Sequence, residues 1–255
     1  MTFPNEYDSF AEKRAQEFAN GKNLVHAYIE KPAMYALLPN LQGRSVLCVG
    51  CGTGEECAEL KSRGAQVTGI DISSTSIDYA SVHIPGVDFQ TIDIDVPADL
   101  LTLGQGRYDL VYSSLTLHYS NDLDILLKSL SKLLTPRGLL LFSVGHPIRW
   151  AAKVKEEDGK KSVIMGYSQG PVGMETFGDY LSTRKFTQKL SDGPEVTYWM
   201  RPISTYFELL KENGYDLLEF KEPSPIAAAQ QVDESFWDLR TKLPVDMVFL
   251  AQAQG

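Results

Sequence analysis

From Ser45 to Val144 short apolar runs alternate with amphipathic stretches. The runs are Val46 to Val49, Val67 to Ile70, Val87 to Ile92, Tyr108 to Ser113 and Leu139 to Val144. Between them, Glu55 to Arg63 and Ser74 to Val82 suit helices. The clearest helix is DLDILLKSLSKLL, with Asp122 as its N-cap and Pro136-Arg137-Gly138 as its stop. Near-continuous apolar strands separated by helices predict a parallel sheet covered on both faces. Ahead of this block, scattered apolar positions (Phe10, Phe18, Leu24, Tyr28, Met34, Leu37, Leu38), broken by Gly21 and Pro32, predict two or three short helices lying against a larger body.

Beyond His146 the rhythm fails. Residues 150–200 hold eight glycines and prolines and no clean period, yet Tyr167, Phe177, Tyr180, Phe186, Tyr198 and Trp199 favour an ordered cap over a loose loop. Thr205 to Asn213 reads as a helix ending at Gly214. Leu217 to Phe220 and Met247 to Ala251 read as strands, an antiparallel pair at the sheet edge.

Composition narrows the partners. The 255 residues are 43% hydrophobic and 22% charged, with a net charge of −9 and a pI near 5.0. Sequence-independent binding to nucleic acid or to an acidic membrane runs on clustered Lys and Arg, and no run here exceeds Lys160-Lys161. A small-molecule partner is favoured, with neither nucleic acid nor membrane. Cys48, Cys51 and Cys57 suit neither a disulfide framework nor a four-ligand zinc site, so they read as buried thiols and no metal is expected. The N-terminal stretch lacks an apolar leader and no run is long enough to span a membrane; a cytoplasmic protein, monomer or homodimer, is the expectation.

The strongest chemical signal is SVLCVGCGTGEE, Ser45 to Glu56. An apolar strand runs into Gly50-Cys51-Gly52-Thr53-Gly54 and then a helix, as needed where a chain turns tightly and a ligand approaches bare backbone. The helix N-terminus adds unpaired N–H groups. Seventeen residues past Gly54, the second run ends in Gly69-Ile70-Asp71-Ile72, where a carboxylate can accept from both ribose hydroxyls; as a helix cap it would look the same. The third ends near Ile92-Asp93-Ile94, where an acid could meet an adenine amino group. These features fall at successive strand ends on one sheet edge, where open α/β sheets bind ligands.

Here a resemblance becomes specific. The region from Ser45 to Val144 resembles the class I S-adenosylmethionine-dependent methyltransferases, whose first motif, VLDLGCGTG, corresponds to VLCVGCGTG. YDLVYSSLTLHY (Tyr108 to Tyr119) resembles the family's fourth strand and the helix entry after it, and LLTPRGLLLFSV (Leu133 to Val144) its turn into the fifth strand. Two departures stand out: Cys48 takes the place of an acid, and Arg137 that of a glycine. A narrower resemblance, through FSVGHPI, WMRPISTYFELLKENGY and KEPSP, links the chain to a bacterial subgroup of small-molecule methyltransferases, with Gly145 and Met200 where that subgroup carries Glu and His.

The resemblance implies a Rossmann-like seven-stranded mixed sheet in one domain: a helical lid (1–43), a cofactor-binding core (44–145), a substrate cap (146–204) and a C-terminal helix and hairpin (205–255). It implies S-adenosylmethionine as cofactor, S-adenosylhomocysteine as product, and methyl transfer to an oxygen, nitrogen or carbon of a small molecule. Gly50, Cys51, Gly52, Gly54, Asp71, Ile72, Asp93, Ile94, Ser113 and Ser114 are the candidates for holding the cofactor. His118 and His146, just past the fourth and fifth strands, are candidates for taking a proton from the acceptor, or are structural histidines. Trp199, Arg201 and Tyr28 are candidate acceptor contacts, Arg201 through a substrate carboxylate or else a surface acid. His26 and Tyr28 would lie in lid helices closing over the cofactor.

Ser113-Ser114-Leu115 is not the Asn/Asp-Pro-Pro-Tyr of enzymes that methylate exocyclic amines of bases, and no cysteine is placed to attack a pyrimidine ring. The chief rival is an NAD(P)-dependent oxidoreductase, but Glu55 and Glu56 would oppose a pyrophosphate at the helix start. A cofactor-binding protein without catalysis is the third reading.

Overall fold

The computed structural model describes residues 23–189 and 195–254. The lid positions before Asn23, Phe10 and Phe18 among them, lie outside the described residues. So does the 190–194 stretch of the cap.

After a π-turn, His26–Glu30, and a short helix α1 (Lys31–Tyr35), strands and helices alternate: β1 (Ser45–Val49), α2 (Glu55–Ser62), β2 (Gln66–Asp71), α3 (Ser74–His83), β3 (Asp88–Thr91), α4 (Pro97–Leu101), β4 (Tyr108–Ser113), α5 (Leu123–Leu133) and β5 (Leu134–Gly145). A short helix α6 (Ile148–Ala151) leads into β6 (Lys153–Glu157), β7 (Lys160–Ile164), β8 (Gly166–Gly170), β9 (Gly173–Phe177), β10 (Arg184–Lys189) and β11 (Glu195–Met200). The chain finishes with α7 (Ile203–Glu212), β12 (Tyr215–Lys221), α8 (Ala228–Val232), α9 (Glu234–Arg240) and β13 (Asp246–Ala253).

Seven strands form one sheet in the order β12-β13-β5-β4-β1-β2-β3. Only β13 runs against the rest, inserted between β5 and β12. This is the seven-stranded mixed sheet of the class I methyltransferase fold. Because side chains alternate across a strand, β1 sends Leu47 and Val49 into one core and Val46 and Cys48 into the other. The first core also takes Leu126, Leu130 and Leu133 of α5, Tyr206 and Leu210 of α7, and a stacked Phe142–Phe249 pair 4.8 Å apart. The second holds Leu60, Ile77 and the thiols Cys48, Cys51 and Cys57, all free and buried. The Asp122 side chain accepts from Ile125 N–H, the cap expected for α5.

Two expectations need correction. Pro136-Arg137-Gly138 lies beyond the helix end as expected, but the fifth strand, expected from Leu139, already begins at Leu134 and takes these residues in. α5 ends at Leu133 and those residues form an irregular start to β5, where the register against β4 jumps from Leu134 to Leu139. Arg137 takes up the turn at φ +62, and the Gln252 side chain both accepts from its guanidinium and donates to its carbonyl. Those bonds hold a backbone conformation that costs an L-residue about 1–2 kcal/mol.

The second correction is the cap, which is built of three hairpins: β6–β7, β8–β9 and β10–β11. The first two are largely exposed. The third docks on Trp150 and Ala151 through Val196, Tyr198 and Met200, making a third small core.

Candidate functional site

The glycine loop leaves β1 and is pinned to β2 at once: Gly50 and Cys51 N–H both donate to the Ile70 carbonyl, at 2.8 and 2.9 Å. Gly50 and Gly52 sit at φ +69 and +52. A Cβ at Gly50 would overlap the Thr116 side chain, whereas one at Gly52 would meet open space. Glycine is thus required at the first by packing and at both by backbone conformation. Asp71, at the tip of β2, accepts from Gly52 N–H at 2.8 Å and from Ser73 N–H at 2.9 Å. One carboxylate therefore sets the shape of the loop and the entry to α3.

A groove of about 460 Å³ opens along these strand ends. Gly50, Gly52, Asp71, Ile72, Asp93, Ile94 and Ser114, all candidates from the sequence, line it together, and so does Trp199 of β11. A smaller space of about 100 Å³ shares Gly50, Gly52, Asp71 and Ser114 with the groove and adds Cys48, Cys51, His26 and Glu56. Two predicted cofactor residues lie elsewhere. Ser113 is buried in the sheet and donates to the Val49 carbonyl. Gly54 packs its backbone under Ile84 and Phe89, where a side chain has no room.

The docked hairpin forms the far wall of the groove. Trp199 donates from Nε1 to Asn121 Oδ1 at 3.4 Å, with Lys185 and Arg201 over its ring at 5.2 and 5.4 Å. Asn121 is held in turn by Asp95, whose carboxylate also takes the Ser120 hydroxyl. Asp95, Tyr119, Asn121, Lys185 and Thr197 line the groove without having been singled out in the sequence. Leu115, also in the wall, adopts φ +48, with its N–H held by Ser143 Oγ at 2.9 Å.

The two candidate histidines do not reach this groove. His146 turns its ring away from it: Nε2 lies 2.6 Å from Glu222 Oε1 and Nδ1 accepts Ile148 N–H at 3.1 Å, so neither nitrogen is left for an acceptor. The imidazole is pushed below its usual pKa because burial outweighs the Glu222 carboxylate. His118 is packed among Tyr119, Trp150 and Tyr198. Burial, aided by Arg201 and Arg149, lowers its pKa to about 3, and its Nδ1 has no hydrogen-bond partner. Arg201 is buried, donates to the Ser120 carbonyl at 2.7 Å and meets the groove wall through the Trp199 ring. Tyr28 lines neither space; its carbonyl accepts Ile226 N–H, tying the lid to the segment before α8.

What the sequence did not reveal is a buried ionic cluster between lid and loop. Glu30, fully buried, accepts from the Ser114 and Ser143 hydroxyls at 2.9 and 2.5 Å. His26 lies between carboxylates, Nδ1 2.9 Å from Glu30 Oε2 and Nε2 3.1 Å from Glu56 Oε1. Burial opposes its charge, but the two carboxylates overcome this and lift its pKa to about 10. The same imidazolium keeps Glu56 below the usual carboxylate range against the burial that would raise it. Lys31 pairs with Glu55 at 2.5 Å. His26, Glu55 and Glu56 bring possible ligand atoms within 4.8 Å of one another, and a metal there would have to displace the proton that the two carboxylates favour on the imidazole. The only hint in the sequence was His26 and Glu30 four apart.

Two departures from the bacterial subgroup also find their cause. A side chain at Gly145 would run into the Trp150 ring, and Met200 is fully buried in the small core beneath the docked hairpin. Apolar packing occupies what would otherwise be polar ground.

Residues 47–142 match the family described as a methyltransferase domain. The chain is similar to a solved S-adenosylmethionine-dependent methyltransferase from Mesorhizobium loti, 27% identical with a TM-score of 0.72 over 88% of this chain and 97% of that one. A candidate enzyme of the same class from Listeria monocytogenes is 25% identical, with a TM-score of 0.70 over 89% of this chain and 98% of that one. A malonyl-[acyl-carrier protein] O-methyltransferase of Pseudescherichia vulneris is 32% identical over 53% of this chain and 55% of its own, so the chain spans about half the length of that relative.

Proposed function

We propose that this chain, an S-adenosylmethionine-dependent methyltransferase of class I by its motifs, its methyltransferase domain and its fold, methylates an oxygen of a small anionic metabolite. The observation that carries the reading is the meeting of the glycine loop, Asp71 and Asp93 around one groove whose far wall is aromatic. The residues present fit the cofactor. Gly52 leaves bare backbone at the bend, Asp71 and Asp93 stand at the nucleoside end, and the groove lies within the range of small-ligand sites, roughly 300–1,000 Å³. When bound, S-adenosylmethionine supplies a methyl group on a good leaving group, the sulfonium.

The chain's own part is then alignment and exclusion of water. The glycine loop and Asp71 fix one end of the groove, and Trp199, Tyr119 and Asn121 shape the other. With His146 and His118 outside the groove, an acceptor that arrives already ionised suits it best. Lys185, beside Trp199, offers a positive charge to such an anion. Oxygen as the atom methylated is also supported by the named activity of the Pseudescherichia relative. The acidic net charge favours a metabolite over nucleic acid, and the same reading places the enzyme in the cytoplasm; no helix among the described residues is long and apolar enough to cross a membrane.

Calorimetry with S-adenosylhomocysteine and with NAD separates this reading from an oxidoreductase: the first should bind and the second should not. Methyl transfer from labelled S-adenosylmethionine to a panel of carboxylates and phenols then separates an enzyme from a binding protein. Transfer to amines alone would overturn the oxygen assignment.

A further inference from the structure

We propose that Glu56, fixed in place by the buried His26–Glu30 pair, holds the α-ammonium group at the methionine end of the cofactor, where the first motif carries Cys48 in place of an acid. The inference rests on the cofactor reading above and adds to it residues of the lid that the glycine motif does not contain.

The small space beside the groove is lined by the glycine loop, Ser114, Cys48, His26 and Glu56. Cys48 is a buried thiol and contributes no charge there. The cluster does: two carboxylates and one imidazolium leave one negative charge, while Lys31 is engaged by Glu55. The side chains of His26, Glu30 and Glu56 are 6%, 0% and 13% exposed, so water screens that charge poorly. Asp246, close by, has its carboxyl pushed up to about 7, chiefly by burial and then by Glu30, against Arg149, His26 and Arg240. A cation arriving at this wall satisfies a charge the protein leaves unmatched.

The cluster is also preorganised. Glu30 is anchored to the ends of β4 and β5 through Ser114 and Ser143, and the His26 cation keeps Glu30 and Glu56 from repelling each other. His26 and Glu30 open and close a π-turn, a local irregularity that tends to occur at functional sites.

The test compares two ligands. S-adenosylhomocysteine carries the α-ammonium, whereas 5′-methylthioadenosine keeps the adenosine and the thioether and lacks the amino-acid end. In Glu56→Gln, and separately in Glu30→Gln, the affinity for S-adenosylhomocysteine should fall about 10- to 100-fold, as expected for weakening a buried charge-assisted contact, while 5′-methylthioadenosine binds as before. Equal losses for both ligands, or no loss for either, overturn the proposal. If either variant fails to fold, the wild-type protein decides with S-adenosylhomocysteine lacking its α-amino group: binding as weak as that of 5′-methylthioadenosine supports the cluster's role, and binding as tight as that of the parent overturns it. A wild-type protein that binds none of these ligands removes the cofactor reading itself, a result distinct from all of these.

Discussion

At the tip of β2 the Asp71 carboxylate accepts the Gly52 and Ser73 amides, so its replacement acts on the loop as well as on a ligand. Asp71→Ala should weaken S-adenosylhomocysteine binding by about 1.5–3 kcal/mol for each charge-assisted bond lost, and should loosen the glycine loop as well. Unchanged affinity in a folded variant would remove Asp71 from the site. His118 makes a different prediction. Its folded pKa, about 3, lies below the ordinary 6.5, so between these values the unfolded chain binds a proton that the native protein refuses. The stability this neutral ring contributes is complete above pH 6.5 and is lost as pH falls toward 3. The Tm of the wild type should therefore drop more steeply on acidification than that of His118→Gln; parallel curves would show that the ring titrates normally.

Among the elements, the β10–β11 hairpin gives the groove its far wall, and Trp199 is where it meets the sheet edge. Trp199→Ala should raise the acceptor KM about tenfold or more, in keeping with roughly 1.5–3 kcal/mol of aromatic burial, and leave cofactor affinity nearly intact. Collapse of cofactor binding with an unchanged acceptor KM would reverse that assignment. The first hairpin of the cap has a local signal in the sequence that periodicity does not carry: Asp158-Gly159, at φ +50 and +72, is the two-residue turn that joins β6 to β7. The docked hairpin carries the same dipeptide, Asp192-Gly193, in its sequence, but a turn signal does not say what the hairpin packs against. Its alternation of buried Val196, Tyr198 and Met200 with Glu195 and Thr197 acquires meaning only when Trp150 is there to pack against.

For the whole molecule, the antiparallel insertion of β13 between β5 and β12 joins the C-terminal segment to the core of the sheet. Phe249 stacks on Phe142 and contacts Phe207 and Phe220, so β13, β5, α7 and β12 share one aromatic centre. Phe249→Ala should cost about 3–5 kcal/mol in denaturant unfolding. A loss well below that would mean the edge of the sheet contributes little to its stability.

The alternation of apolar runs from Val46 to Val144, the glycine bend at Gly50 to Gly54 and the acids at the second and third strand ends were enough to determine the α/β sheet and the strand-end edge along which the groove opens. These are local patterns: strand periodicity, a turn that admits only glycine, and residues placed by the end of a strand all lie within a few positions of one another in the chain. Tertiary structure decided the rest. Position next to a strand end put His146 and His118 on the right edge, but Glu222, 76 residues on, and the Trp150–Tyr198 packing turned those rings out of the groove. In the same way Glu30 meets Ser114 and Ser143 across 84 and 113 residues, and His26 meets Glu56 across the lid. Where a side chain's charge and direction depend on partners so far away, no local pattern carries them, because burial and electrostatics are set by what folding brings alongside.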